Sequence, residues 1–302
     1  MSKIQWTDKV WNPVTGCTKV SAGCKNCYAE RIADRKLPGG GFTDRSFTDV
    51  RCHPERLDAP LRWRKPRKVF VNSMSDLFHK DVRHEFMAAV FGVMAACPRH
   101  SFQVLTKRPD EMLGFFDWVS TRRDGVSDVR EYHLPLDVCW AEAVRHTGRL
   151  DIRDFDVWPL PNVWLGVSVE DQRTADERIP LLLQTPAAVR FVSYEPALGP
   201  LWFRMHPGRT CRCQVPCNGC AGLGDDWHIA LEEGKQLDWL IVGGESGPGA
   251  RPCDVAWIRS AVEQCRVAGV PVFVKQDSGP RSGMQGRIPS ELWIKEWPDV
   301  RG

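Results

Sequence analysis

Three cysteines, Cys17, Cys24 and Cys27, fall within the run CTKVSAGCKNCY at spacing C-x6-C-x2-C. Thiolates are nucleophiles and soft metal ligands, so three this close together imply a shared metal or redox task. Three chemistries match the count. A structural zinc takes four ligands, and the downstream Cys52-His53 pair is a candidate source of the fourth. Cys24 and Cys27 alone form a C-x-x-C redox pair, although no thioredoxin-like unit is evident around them. A [4Fe–4S] cube held by three cysteines leaves one iron open to a small molecule.

A second group, Cys211, Cys213, Cys217 and Cys220, lies in the run CRCQVPCNGCAGLG. Four cysteines at this density can close a tetrahedral site, so a structural zinc is one reading and an auxiliary iron–sulfur cluster the other. CNGCAGLG resembles one half-site of the zinc domain of heat-shock co-chaperones. The chain holds twelve cysteines in 302 residues. At that length, with an opening MSKIQWTDKVW that lacks the apolar core of a signal peptide, metal ligation is expected over disulfides, and a cytoplasmic location with it. The scattered Cys52, Cys97, Cys139, Cys253 and Cys265 are expected mostly as buried, inert thiols.

Composition bounds the remaining classes. Hydrophobic residues make up 42% and charged residues 26%, a globular balance, and no apolar run is long enough to cross a bilayer. A net charge of +3 does not by itself announce a nucleic-acid binder. LRWRKPRKVF, residues 61–70, is locally basic, either a solvated face or a phosphate contact.

The elements that must position these groups read as repeated strand-then-helix units. Continuous apolar runs predict strands at Lys68–Asn72, Phe102–Thr106, Val163–Val169, Val189–Tyr194, Trp239–Gly243 and Val270–Lys275, each covered on both faces. Helical spacing predicts helices over 82–96 with Asp81 as N-cap, over 171–184, and over 255–268 between Asp254 as N-cap and Gly269 as stop. The expectation is an α/β fold: a partial or complete TIM-type (βα) barrel of parallel strands, with a doubly wound sheet as the alternative. One domain over 1–302 is expected, with an insertion at 119–160 and a Cys-rich, metal-binding insertion at 204–237. Polar residues recur where the strands end: Ser73, Asp76 and His79; Lys107 and Arg108; Ser168 and Glu170; Glu195; Gly243, Gly244 and Glu245; Lys275 and Gln276. In (βα) barrels those ends share one mouth. GGESGPG lacks the Lys-Ser/Thr of a phosphate-binding loop, which argues against a nucleotide hydrolase.

The cysteine loop with its flanks, IQWTDKVWNPVTGCTKVSAGCKNCYAE, and the strings SMSDLFH, LTKRP, WLGVSVE, SYEP, IVGGESGPGARP and PVFVKQ carry a resemblance over most of the chain apart from the two insertions. They resemble a three-Cys-motif family of radical-SAM-like proteins associated with phage and bacteria, within the radical S-adenosylmethionine superfamily. The superfamily's usual signature is C-x3-C-x2-C after the first barrel strand, so the six-residue first gap departs from it. The resemblance implies that Cys17, Cys24 and Cys27 ligate three irons of a [4Fe–4S] cluster and that the fourth binds S-adenosylmethionine. An electron from a flavodoxin- or ferredoxin-type donor would then release a 5′-deoxyadenosyl radical that abstracts a substrate hydrogen. It further implies cofactor contacts from Tyr28, Ser73, Asp76, Lys107, Ser168, Glu170, Glu195 and Lys275. Gly243 and Gly244 would admit the cofactor to the backbone, and Glu245 would hold cofactor or substrate. Nucleic acid is a candidate substrate, since the basic stretch and thirteen tryptophans suit phosphate and base contacts. The alternatives are a zinc-stapled nucleic-acid-binding protein without radical chemistry, and a barrel metal-dependent hydrolase using His79, His84 and the strand-end carboxylates.

Overall fold

The computed structural model describes residues 4–36, 42–121, 134–148, 157–203 and 237–299. Cys211, Cys213, Cys217 and Cys220, and the expected insertion around them up to residue 236, lie outside the described residues. Along the chain, β1 (Lys9–Trp11) and β2 (Val14–Thr15) precede α1 (Tyr28–Ala33). Next come β3 (Arg51–Cys52), β4 (Lys68–Val71), α2 (His84–Ala95), β5 (Ser101–Thr106), α3 (Pro109–Thr121) and α4 (Leu134–Thr147). The series continues with β6 (Val163–Val169), α5 (Gln172–Gln184), β7 (Val189–Tyr194), β8 (Trp239–Gly243), α6 (Val255–Ala268) and β9 (Val272–Gln276).

Each strand expected from an apolar run is present, and strand–helix alternation gives the expected α/β class. The seven parallel strands follow chain order, β1-β4-β5-β6-β7-β8-β9. A doubly wound sheet reverses its order at a switch point, which this sheet does not do; sequential order is compatible with part of a TIM-type barrel. Among the described residues, no helix is long and apolar enough to cross a membrane.

The chain groups into two compact units, one of residues 1–167 with 185–188, the other of 168–184 with 189–302. In the first, β4 is central to the site: Val69 pairs with Lys9 of β1 on one side and with Phe102 of β5 on the other. β5 then pairs with β6, Val104 opposite Leu165. β1 is not expected from the sequence, because three residues beginning with an exposed lysine give no apolar run. β4 ends one residue earlier than expected because Asn72 turns left-handed at φ 59°, a conformation that asparagine tolerates. A short antiparallel pair, β2 with β3, sets Val14 opposite Cys52.

Helix α2 is buried along Phe86–Ala95 because it is covered by α4 as well as by the core. Their approach depends on Gly92, where a Cβ would lie 2.2 Å from the Cys139 carbonyl oxygen. Asn162, just before β6, donates from Nδ2 to the carbonyl oxygens of Met94 (3.0 Å), Cys97 (3.2 Å) and His100 (3.2 Å), satisfying groups that the end of α2 leaves open. Asp81 is not the N-cap of α2: residues 79–82 form a turn of their own, the helix starts at His84, and Arg83 holds the cap position.

In the second unit β7 pairs with β8, Val192 opposite Leu240, and β8 with β9, Ile241 opposite Phe273. Asp254 caps α6 as expected, its Oδ1 accepting from the Ala256 N–H at 2.9 Å, and Gly269 ends the helix at φ 69°. Val270 belongs to that helix end, its N–H donating to Cys265 O at 2.9 Å, so β9 begins at Val272 and runs on to Gln276. Cys97, Cys139, Cys253 and Cys265 are buried, as expected of inert thiols, and Cys52 is half-buried.

Two glycine substitutions have opposite expected outcomes. Gly92→Ala forces a methyl group against the α4 backbone and should cost about 1–3 kcal/mol. Gly114→Ala, in α3 with open space at its Cβ, should stabilise by about 0.4–1 kcal/mol. Urea unfolding midpoints at unchanged slope check both.

Candidate functional site

The cysteine loop lies in the first unit and connects β1, through β2, to α1. Its entry is held on two sides. The Gly16 N–H donates to Met74 O at 3.0 Å and the Cys17 N–H to Phe47 O at 2.9 Å. Gly16 sits at φ 93°, and a Cβ there would lie 2.4 Å from Asp49 O, so both conformation and space require glycine. Cys24 closes a short 3-10 turn, Ala22–Cys24, and Cys27 holds the N-cap position of α1. All three thiols are free and partly exposed. Cys17 and Cys27, with Met74, pack on a buried apolar floor of Ala29, Ala33, Phe42 and Phe47.

Around Cys17 the exits of β4 and β5 converge. Arg108 donates from Nη1 to Cys17 Sγ at 3.5 Å and to Asp76 Oδ2 at 3.2 Å, and from Nη2 to the carbonyl and hydroxyl oxygens of Thr18 at 2.9 Å each. Asp76 also accepts from Phe78 N–H (3.1 Å), Thr106 Oγ1 (2.8 Å) and Lys107 N–H (3.1 Å). Burial pushes the Cys17 thiol up to about 11, with Asp76 adding to the rise and Arg108 opposing it. Burial works against the Arg108 charge, yet Asp76 and Cys17 beside it hold that charge more firmly than usual.

His79 is fully buried, and its ring is committed to the same loop. Its Nδ1 accepts from Asp81 N–H at 3.2 Å, which fixes the proton on Nε2, and Nε2 meets Thr18 Oγ1 at 2.8 Å. Burial, then Arg108, lowers its pKa. His84 packs its ring against Phe115 and Trp118. Of the two histidines in the hydrolase reading, His79 is hydrogen-bonded within the loop and His84 is packed between aromatic rings. His53 is likewise engaged, by Thr15 Oγ1 at 2.7 Å and Glu55 Oε1 at 3.0 Å, and burial pushes the Cys52 thiol up to about 11. Among the described residues, no three Cys, His, Asp or Glu side chains are gathered closely enough for a metal ion.

The other expected residues of this unit have defined partners. Tyr28 donates its hydroxyl to Ser73 O, and Ser73 Oγ donates to Asn12 Oδ1 at 3.2 Å, so these two meet beside the loop. Lys107 reaches Asp76 through its backbone; of the neighbouring pair it is Arg108 whose side chain touches a cysteine. The basic stretch 61–67 leads into the start of β4, the end opposite Ser73 and Asp76. Arg62 there pairs with Asp58, Lys9 lies 4.2 Å over the Trp63 ring, and Arg64, Lys65 and Arg67 are exposed.

In the second unit the strand ends form their own polar group. Glu195, after β7, accepts from Lys275 Nζ (3.1 Å) and Ser193 Oγ (3.3 Å) on Oε2. Its Oε1 is buried and receives no hydrogen bond from the described protein groups. Gly243 makes room for that oxygen, since a Cβ there would sit 2.9 Å from it, and a Cβ on Gly244 would sit 2.4 Å from Ser278 N. Ser168 Oγ donates to Glu195 O at 3.1 Å. Glu170 is wholly buried against Arg178, with both oxygens 3.4 Å from Nη1. Glu245 accepts a fork from Arg251, whose Nε lies 2.9 Å from Oε2. Glu195 and Lys275 are thus the expected residues that meet around an open acceptor, whereas Glu170 and Glu245 are each closed by an arginine.

A family model described as a protein of unknown function, DUF5131, matches residues 1–287. The chain belongs to this family. No curated protein and no solved structure matches this DUF5131 chain.

Sequence reasoning passed over Thr18, Ser193 and Asp277. Thr18 lies inside the motif's long gap, where spacing directs attention to cysteines alone. Asp277, directly after β9, accepts from Arg287 through its N–H (2.8 Å), Nε (2.9 Å) and Nη2 (2.8 Å), and from Ser278 N–H (2.7 Å). Burial alone would raise this carboxyl, but the Arg287 and Ser278 hydrogen bonds outweigh it and hold it below the ordinary range. A depressed carboxylate contributes stability in full above the unfolded value, about pH 4, and loses it as pH falls through the folded value. Asp277→Asn should therefore cost about 1.5–3 kcal/mol at neutral pH. It should also flatten the acid limb of a urea-midpoint-against-pH curve.

Proposed function

We propose that this DUF5131 protein is a radical S-adenosylmethionine enzyme built on part of a TIM-type barrel, with a [4Fe–4S] cluster on Cys17, Cys24 and Cys27. The observation that carries the reading is the position of those thiols. All three are free and half-buried on the loop that leaves the first parallel strand and enters the first helix, at the strand end where barrel enzymes place their chemistry. The donor chemistry suits the group, with thiolates alone, an apolar floor on one side and an arginine N–H aimed at one sulfur, while the three sulfurs are not gathered as for a single metal ion. When bound, the cluster and S-adenosylmethionine supply a one-electron source and a carbon radical for hydrogen abstraction.

The chain's own residues bind and shield. Phe42, Phe47, Ala29 and Ala33 exclude water from the inner face of the loop. Arg108 places a fixed positive charge beside a thiolate that burial alone disfavours. In the second unit, Glu195 keeps Oε1 as an open acceptor while Lys275 orients its carboxylate. A flavodoxin- or ferredoxin-type donor is the expected electron source. The Cys211–Cys220 group takes zinc or a second cluster. Nucleic acid remains the proposed substrate class, and a cytoplasmic location goes with the reducing chemistry.

Anaerobic reconstitution with iron and sulfide tests the reading. The expected result is brown protein that, with dithionite and S-adenosylmethionine, yields 5′-deoxyadenosine. Cys17→Ala, Cys24→Ala and Cys27→Ala should each reduce that yield to background, while Cys52→Ala leaves it unchanged. Colourless protein holding only zinc, with no 5′-deoxyadenosine formed, overturns it.

A further inference from the structure

The geometry points to Arg108 as the positioning residue of the cysteine loop: its guanidinium fixes the Cys17 sulfur and sets the reduction potential of the cluster bound there. This inference rests on the cluster reading proposed above. Arg108 lies two residues past the end of β5 and directly precedes α3, and both elements restrict it. Its N–H donates to Thr106 Oγ1 at 2.9 Å, its carbonyl accepts from Met112 N–H at 3.1 Å, and Pro109 at the first helical position limits its backbone. The side chain leaves this fixed base and is nearly buried.

Four acceptors then use its fork. Asp76 Oδ2 at 3.2 Å anchors one side, and Thr18 O and Oγ1 at 2.9 Å each anchor the other. With those contacts made, Nη1 also lies 3.5 Å from Cys17 Sγ. Thr18 is the first residue of the six-residue gap, and its hydroxyl is gripped a second time by His79 Nε2 at 2.8 Å. Cys17 and the first gap residue, Thr18, are therefore both held by side chains from the exits of β4 and β5. An N–H donor at a ligating sulfur withdraws electron density from it and raises the cluster's potential. Lysine cannot reproduce the effect in full, because one ammonium cannot span acceptors that a planar guanidinium bridges.

The test is a set of EPR-monitored redox titrations on reconstituted wild type, Arg108→Gln, Arg108→Lys and Thr18→Val, alongside iron content and thermal unfolding. The expected result is a midpoint potential that falls in Arg108→Gln and falls less in Arg108→Lys, with cluster affinity reduced about 10–100-fold in the glutamine variant. Thr18→Val, which keeps the guanidinium but removes one anchor, should shift the potential in the same direction by less than Arg108→Gln. If Arg108→Gln does not fold, the lysine and valine variants carry the measurement. Iron-loaded variants with wild-type potential overturn the role of Arg108 and leave the cluster reading standing. Wild-type protein that takes up no iron overturns the cluster reading, and this inference with it.

Discussion

The first unit depends on one buried carboxylate. Asp76 gathers the Phe78 and Lys107 N–H groups, the Thr106 hydroxyl and the Arg108 guanidinium, so a single side chain joins the exit of β4 to the exit of β5. A charge this deep is costly to desolvate and is tolerated only when every lone pair is occupied. Here that condition is met by groups from two strand ends, and meeting it fixes where the guanidinium stands. Loop, sulfur and strand ends therefore share one hydrogen-bonded frame, in which the Cys17 N–H is held by Phe47 O and the Gly16 N–H before it by Met74 O.

The second unit solves a related problem differently. Glu170 and Glu245 are each neutralised by an arginine close in sequence, eight and six residues away, and become structural. Glu195 is answered on one oxygen only, by a lysine from β9 and by Ser193 of β7. A strand-end carboxylate with one satisfied and one open oxygen is oriented without being used up, a common condition for a ligand-binding group.

Much of the scaffold was legible because its physics is local. Apolar runs of five to seven residues between turn signals are hard to satisfy except as covered strands, and Asp254 with Gly269 bracket α6 by capping chemistry alone. β1 was not legible: three residues gain strand character only by pairing with β4. The start of α2 was misplaced because Asp81 looks like a cap, while the turn at 79–82 takes that residue out of reach. In the candidate site, residue types at strand ends were readable and their partners were not. Nothing in LTKRP says that Arg108 rather than Lys107 turns toward a cysteine; that choice follows from Pro109 and from Asp76, thirty-two residues earlier.

The grip on Thr18 has a consequence for the spacing of the motif. Cys17 is located by the strand exits and not by its distance along the chain to Cys24. The exposed stretch from Lys19 to Val20 carries no such anchor into the frame; its lysine pairs with Glu30 of α1 at 2.8 Å. The number of residues between the first and second cysteines is therefore a slack variable. The side-chain contacts that hold Cys17 and Thr18 come from Arg108 and His79, and none of them runs through the loop beyond Thr18.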